Sequence, residues 1–152
     1  MSVKRITLDT NILIYAVDRD AGKKHQRAIQ IVDQVVVLDS VLTLQVLCEF
    51  YAAATRKGYA QHEEVSAFIE GWMEVFPIVG SHNSTLPLAL KAVEKHKLSF
   101  WDAMLWATAK EARCSFLLSE DFQDNFNLEG VQIKNPFLSD EPIEQFLMNL
   151  GY

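Results

Sequence analysis

Four acidic residues differ in setting from the rest of this chain's charge: Asp9, Glu49, Asp102 and Asp121. Each lies in or beside an apolar run. From Phe100 to Ala109 only Asp102 and Thr108 are polar, and from Val41 to Ala54 only Thr43, Gln45 and Glu49 are. A carboxylate in such surroundings is costly to desolvate unless something holds its charge. Each also has an ordinary explanation. Ser99 and Asp102 fit S-x-x-D, a variant of the capping box that satisfies free N–H groups at a helix start. Asp9 suits an N-cap at a strand-to-helix turn. Glu49 lies four residues from Gln45, so the two share a narrow polar stripe from which Glu49 can reach water. Taken together, four carboxylates with no His or Cys cluster select a hard divalent cation, Mg²⁺ or Mn²⁺, by ligand type. The chemistry that suits them is metal-assisted hydrolysis of a phosphodiester.

The acids act together only if the fold brings them together. Lys4 to Leu8 reads as a first strand, and Asp9-Thr10-Asn11 ends it before a short helix from Ile12 to Val17. A helix over Lys23–Gln34 follows, then a β-branched second strand over Val35–Leu38. The Glu49 helix runs from about Thr43 to Lys57 and stops at Gly58, the residue type that best ends a helix. Gln61–Phe76 is another helix, Pro77–Val79 a third strand, and Pro87 opens a helix ending in the basic group Lys91, Lys95 and Lys97. The Asp102 helix spans roughly Phe100–Arg113, and Cys114–Leu118 is a buried fourth strand. Val131–Lys134 is a fifth strand, and a last helix starts near Asp140. Strands alternating with helices indicate an α/β fold, a parallel sheet covered on both faces. Asp9 and Asp121 then lie just beyond the carboxyl ends of strands one and four. The Asp102 and Glu49 helices start at that same edge, where such folds place their ligands.

The 152 residues suggest one domain with a real core. Hydrophobic residues make up 49% and charged residues 22%, which are ordinary globular values. No apolar run approaches a membrane span. Met1 to Arg5 lack an apolar signal core, so the expected location is the cytoplasm. Cys48 and Cys114 lack C-x-x-C spacing and read as buried free thiols of a reducing compartment. The net charge of −6 argues against a broad basic face that coats nucleic acid, but not against a carboxylate-lined nuclease. His25, His62, His82 and His96 are scattered, and neither a nucleophile elbow nor a Gly-rich phosphate loop is present.

Leu8-Asp9-Thr10-Asn11-Ile12-Leu13, Gln45-Val46-Leu47-Cys48-Glu49-Phe50-Tyr51, Phe100-Trp101-Asp102-Ala103 and Leu117-Leu118-Ser119-Glu120-Asp121 form four acidic blocks in order. They resemble those of PIN-domain ribonucleases, in particular the VapC-type toxins of bacterial toxin–antitoxin pairs. Val131 to Phe137 is similar to the usual end of such domains, so the resemblance covers nearly the whole chain. It implies one three-layer PIN-like domain over residues 1–152, with 137–152 as a C-terminal helical extension. It also implies a five-stranded parallel sheet of order 3-2-1-4-5, which sets strands one and four side by side. The implied activity is Mg²⁺-dependent endoribonucleolytic cleavage of RNA. Asp9, Glu49, Asp102 and Asp121 match the family's metal-binding acids, Asn11 a supporting polar residue, and Ser119 the small hydroxyl residue before the last acid. Asp124, one helical turn from Asp121, is the alternative that could share or replace its role, and Glu120 is a more distant option. A homodimer and an antitoxin whose segment enters the acidic cleft belong to the same implication.

Basic side chains near the mouth should meet phosphate. Lys23, Lys24 and Arg27 are nearer that mouth, whereas Arg56 and Lys57 read as a solvated helix end. Tyr15, Trp101 and Trp106 read as core or dimer contacts. Two other functions compete. A haloacid-dehalogenase-like phosphatase would want a second Asp where Asn11 stands, and a PIN-like module could bind RNA or protein without cutting. A nuclease of RNA processing would share the chemistry without the toxin role.

Overall fold

The computed structural model describes residues 4–152; the reading of Met1 to Val3 as free of an export signal lies outside the described residues. Five strands are parallel: β1 (Arg5–Leu8), β2 (Ser40–Thr43), β3 (Ile78–Val79), β4 (Cys114–Leu118) and, after a short edge strand β5 (Phe126–Leu128), β6 (Val131–Lys134). Their order is β3-β2-β1-β4-β6-β5, with β5 antiparallel to β6. The expected order 3-2-1-4-5 is therefore present, and the expected five strands become six. The extra strand is one arm of a hairpin whose two turn residues, Glu129 (φ 50°) and Gly130 (φ 96°), both take positive φ. That is the backbone a tight two-residue hairpin turn requires.

β1 occupies the centre because its residues tolerate cover on both faces. Ile6, Thr7 and Leu8 are buried, and the Thr7 hydroxyl donates to the Val41 carbonyl at 2.7 Å, so no polar group is left unpaired there. Leu8 pairs with Leu118 in the β1–β4 register, which brings the ends of these two strands level.

The helices are α1 (Thr10–Val17), α2 (Lys23–Val35), α3 (Leu44–Arg56), α4 (His62–Val75), α5 (Thr85–His96), α6 (Phe100–Glu111) and α7 (Ile143–Asn149). α6 is buried from Leu105 to Ala109, packed against α5 and, through Trp106, against the hairpin: the Trp106 indole donates to the Leu128 carbonyl at 2.9 Å. α7 packs against α2 and makes a side-chain bond from Gln34 to Glu144. No helix among the described residues is long and apolar enough to cross a membrane.

The second strand is displaced from its expected place. Val35 ends α2, Val36 to Leu38 form a turn, and the strand is Ser40–Thr43. A β-branched run fits a helix end as well as a strand, and a short strand buried on both faces shows no alternation to mark it. Cys114 is buried as expected, but Cys48 is exposed on α3.

Candidate active site

Asp9 follows β1 and serves as N-cap of α1, its Oδ1 accepting from the Thr10 amide at 2.7 Å. Its own amide donates to the Leu118 carbonyl at 2.9 Å, the last rung between β1 and the end of β4. One residue beyond that rung, the buried Ser119 hydroxyl donates to Asp9 Oδ2 at 2.6 Å and accepts from the Asp121 amide at 3.1 Å. A single hydroxyl thus joins the first acid to the backbone of the last.

The other two acids come from helix starts at the same rim. Thr43 caps α3 through its hydroxyl, and Glu49 follows less than two turns later. Ser99 caps α6, its hydroxyl accepting from the Asp102 amide at 3.3 Å, which is the serine half of the S-x-x-D box. Gln45 ties the two helices: its Nε2 donates to Glu49 Oε1 at 2.7 Å and to the Trp101 carbonyl at 2.9 Å.

The four charges act on one another. Burial pushes the Asp9 carboxyl up to about 7, the Ser119 and Thr10 donations pull it down, and the charges of Asp121 and Asp102 push it further up. Glu49 is raised first by burial, against the pull of Gln45, and then by Asp102 and Asp121. Asp102 is raised by burial, opposed by Ser99, and by Asp121. Asp121 itself is exposed, yet its charge reaches all three of the others.

Neither alternative for the fourth acid is placed this way. Asp124 Oδ1 accepts from the Asn135 amide at 2.7 Å, fastening the loop to the end of β6. Glu120 points to Tyr15 and Lys24.

Among the described residues no three His, Cys, Asp or Glu side chains close on one point as a ready-made cage. The acids instead form an open cluster, which suits a cation held by one or two carboxylates and its own waters. Unpaired buried polar atoms lie beside them in the chain: both polar atoms of the Asn11 amide, and Gln45 Oε1. Hard oxygen donors in mutual repulsion, flanked by unpaired amide groups, fit a hydrated divalent ion.

The PIN domain family model matches residues 6–126, the span that contains all four acids. The chain belongs to the PIN domain family. Similar solved structures include a toxin–antitoxin complex from Klebsiella pneumoniae, with 23% identity and a TM-score of 0.64, covering 87% of this chain and 98% of that one. The sarcin–ricin-loop-cleaving toxin VapC20 of Mycobacterium tuberculosis has 15% identity and a TM-score of 0.61, covering 76% and 91%. VapBC2 of Rickettsia felis, bound to a promoter DNA fragment, has 12% identity and a TM-score of 0.64, covering 86% and 98%. No curated protein matches the chain.

Around the acids of this PIN domain, two of the three expected cationic contacts, Lys24 and Arg27, are already engaged. Lys24 bonds Glu120, and Arg27 reaches the carbonyls of Pro136 and Glu141. Both therefore hold the chain's own segments together. A groove of about 600 Å³ opens beside Glu49, lined by Leu44, Cys48, Ala52, Trp101 and Met104 among others. Trp101 is 61% exposed there and is not a core residue, whereas Trp106 is fully buried. Gln45 is the site residue that sequence reasoning undervalued; its i, i+4 spacing to Glu49 was the available signal.

Proposed function

We propose that this PIN domain is a divalent-cation-dependent endoribonuclease that hydrolyses RNA phosphodiester bonds at Asp9, Glu49, Asp102 and Asp121. One observation carries the reading: carboxylates from four separate parts of the chain share one rim, and Asp9, Glu49 and Asp102 are each raised by burial and by neighbouring acids. Such a cluster is relieved by a bound cation, which favours the ionised forms. When bound, Mg²⁺ or Mn²⁺ lowers the pKa of an attacking water and offsets charge on the phosphoryl oxygens.

The protein's own groups have separable parts. Ser119 and the Thr10 amide favour ionised Asp9 by donating to both of its oxygens. Gln45 orients Glu49 and couples α3 to the start of α6. Asn11, with its buried and unpaired amide, is the supporting residue for a water or a substrate oxygen. Asp121 is the fourth acid in this reading, and Asp124 holds the loop.

The same reading makes the protein the toxin of a toxin–antitoxin pair in the cytoplasm, a homodimer inhibited by an antitoxin. It takes residues 1–152 as one PIN-like domain with 137–152 as a C-terminal extension. The similar structures named above include toxin–antitoxin complexes, which supports this assignment.

The test is cleavage of structured RNA with Mg²⁺ or Mn²⁺, beside Asp9→Asn and Asp102→Asn. Cleavage should stop with EDTA and fall by about a hundredfold or more in each variant. Activity that survives EDTA, or that is unchanged in both variants, sinks the mechanism. For the biological role, a small neighbouring reading frame encoding a DNA-binding protein is the expected observation.

A further inference from the structure

Glu49 and Asp102 ride on helices and Asp9 is pinned as the cap between β1 and α1, but Asp121 rides on a loop. Its carboxylate makes no hydrogen bond among the described residues, and only its amide is held, by Ser119. Where that carboxylate stands therefore depends on the backbone of residues 119–121. The residue between them, Glu120, turns the other way. It accepts from the Tyr15 hydroxyl and from Lys24 Nζ, the latter at 2.9 Å. Lys24 Nζ also lies 3.4 Å from the Tyr15 hydroxyl, 5.0 Å from the centre of the Tyr15 ring and 5.8 Å from that of Phe137. The two rings meet edge to face at 5.3 Å. Lys24 is thus seated on two aromatic rings and a carboxylate, each of which favours a cation there. Tyr15 belongs to α1, which Asp9 begins, and Lys24 to the first turn of α2.

We propose that Tyr15, Lys24 and Glu120 form a tie that fixes the 119–121 loop and so sets the divalent-cation affinity of the acidic site without touching the ion. Ser119 holds the inner side of the loop to Asp9, and Glu120 holds its outer side to α1 and α2. With both ties made, the Asp121 carboxylate is confined to the rim it shares with Asp9, Glu49 and Asp102. This inference rests on the metal-site reading above, and it makes Tyr15, Lys24 and Glu120 positioning residues.

The charges give a test with opposite signs. Lys24 is a positive charge bonded to the residue next to Asp121, so its simple electrostatic effect on a cation held by Asp121 is to weaken binding. Removing it should then tighten binding. If the tie sets Asp121, removing Lys24 should loosen binding. Tyr15→Phe changes no charge and keeps the ring, so only the tie makes it matter. The experiment is Mn²⁺ titration of RNA-free protein by calorimetry, with electron paramagnetic resonance of the bound ion, on wild type, Tyr15→Phe and Lys24→Met. The expected result is about tenfold weaker Mn²⁺ binding in both variants, the low end of the loss seen when the support of a metal ligand is removed. Wild-type affinity in Tyr15→Phe, or tighter binding in Lys24→Met, overturns the tie. If the wild type itself binds Mn²⁺ no better than Asp9→Asn, the metal-site reading fails and the tie fails with it.

Discussion

Ser119 donates to Asp9 across 110 residues of chain, at 2.6 Å and out of contact with solvent. The bond favours the charged form of a carboxylate that burial would otherwise keep neutral. Ser119→Ala should therefore raise the Asp9 pKa above its present value of about 7. It should also destabilise the protein at pH 8 by about 1–3 kcal/mol, the cost of leaving a buried acceptor unpaired. Urea unfolding with EDTA present measures the second effect, and Mn²⁺ affinity at pH 7, expected to fall, measures the first.

Asp9 also gives the metal-free protein a pH dependence of definite sign. Its carboxyl titrates near 4 when unfolded and near 7 when folded. Between those values the folded state keeps a proton that the unfolded state has released, so rising pH favours unfolding. The loss builds from pH 4 to 7, persists above 7, and amounts to roughly 4 kcal/mol at most. Asp9→Asn removes it. In EDTA the variant should gain on the wild type in Tm between pH 5 and pH 8, at roughly 2–4 °C per kcal/mol. A gap that does not widen contradicts the burial argument.

The fourth acid is decided by a pair of variants. Asp121→Asn should weaken Mn²⁺ binding by about tenfold, because a ligand charge close to the ion is lost. Asp124→Asn should leave it unchanged, since the amide oxygen can still accept from the Asn135 amide that Asp124 now holds. Equal losses in the two titrations would return Asp124 to the site.

Trp106 anchors the hairpin at the sheet edge. Trp106→Phe removes the indole donor from the Leu128 carbonyl and leaves space in a fully buried position. The expected cost is about 2–4 kcal/mol, summing an unpaired carbonyl and a small cavity. Chemical denaturation reads it directly. A cost under 1 kcal/mol would mean that the hairpin does not depend on this bond.

Much of this architecture was legible in the residues because the signals were local. The Ser99 cap, the Gly58 stop after α3 and the apolar fourth strand each follow from neighbours within a turn or two. Asp9 at the end of a strand and Asp102 at a helix start share an edge by topology alone. What failed were short elements without periodicity. The Val35–Leu38 run carried the composition of a strand, yet it closes α2, and the buried Ser40–Thr43 strand has no polar face to reveal it. The three residues of β5 were too few to register, even though Glu129-Gly130 was a turn. Lys24 and Arg27 read as phosphate contacts because their partners lie 96 and more than 100 residues away. No spacing rule shows such a pairing.

The two ends of the sheet have a consequence for evolution. One edge strand is two residues long and the other three, and the latter curls back in a tight hairpin. Neither offers enough free backbone groups to template a foreign strand. Association by strand addition reads backbone and is largely indifferent to sequence, and edges this short disfavour that route. Partners are left to recognise side chains on helices and loops. Substitutions on those exposed faces can therefore redirect which partner is accepted while the hydrogen-bonded frame beneath the acids stays as it is.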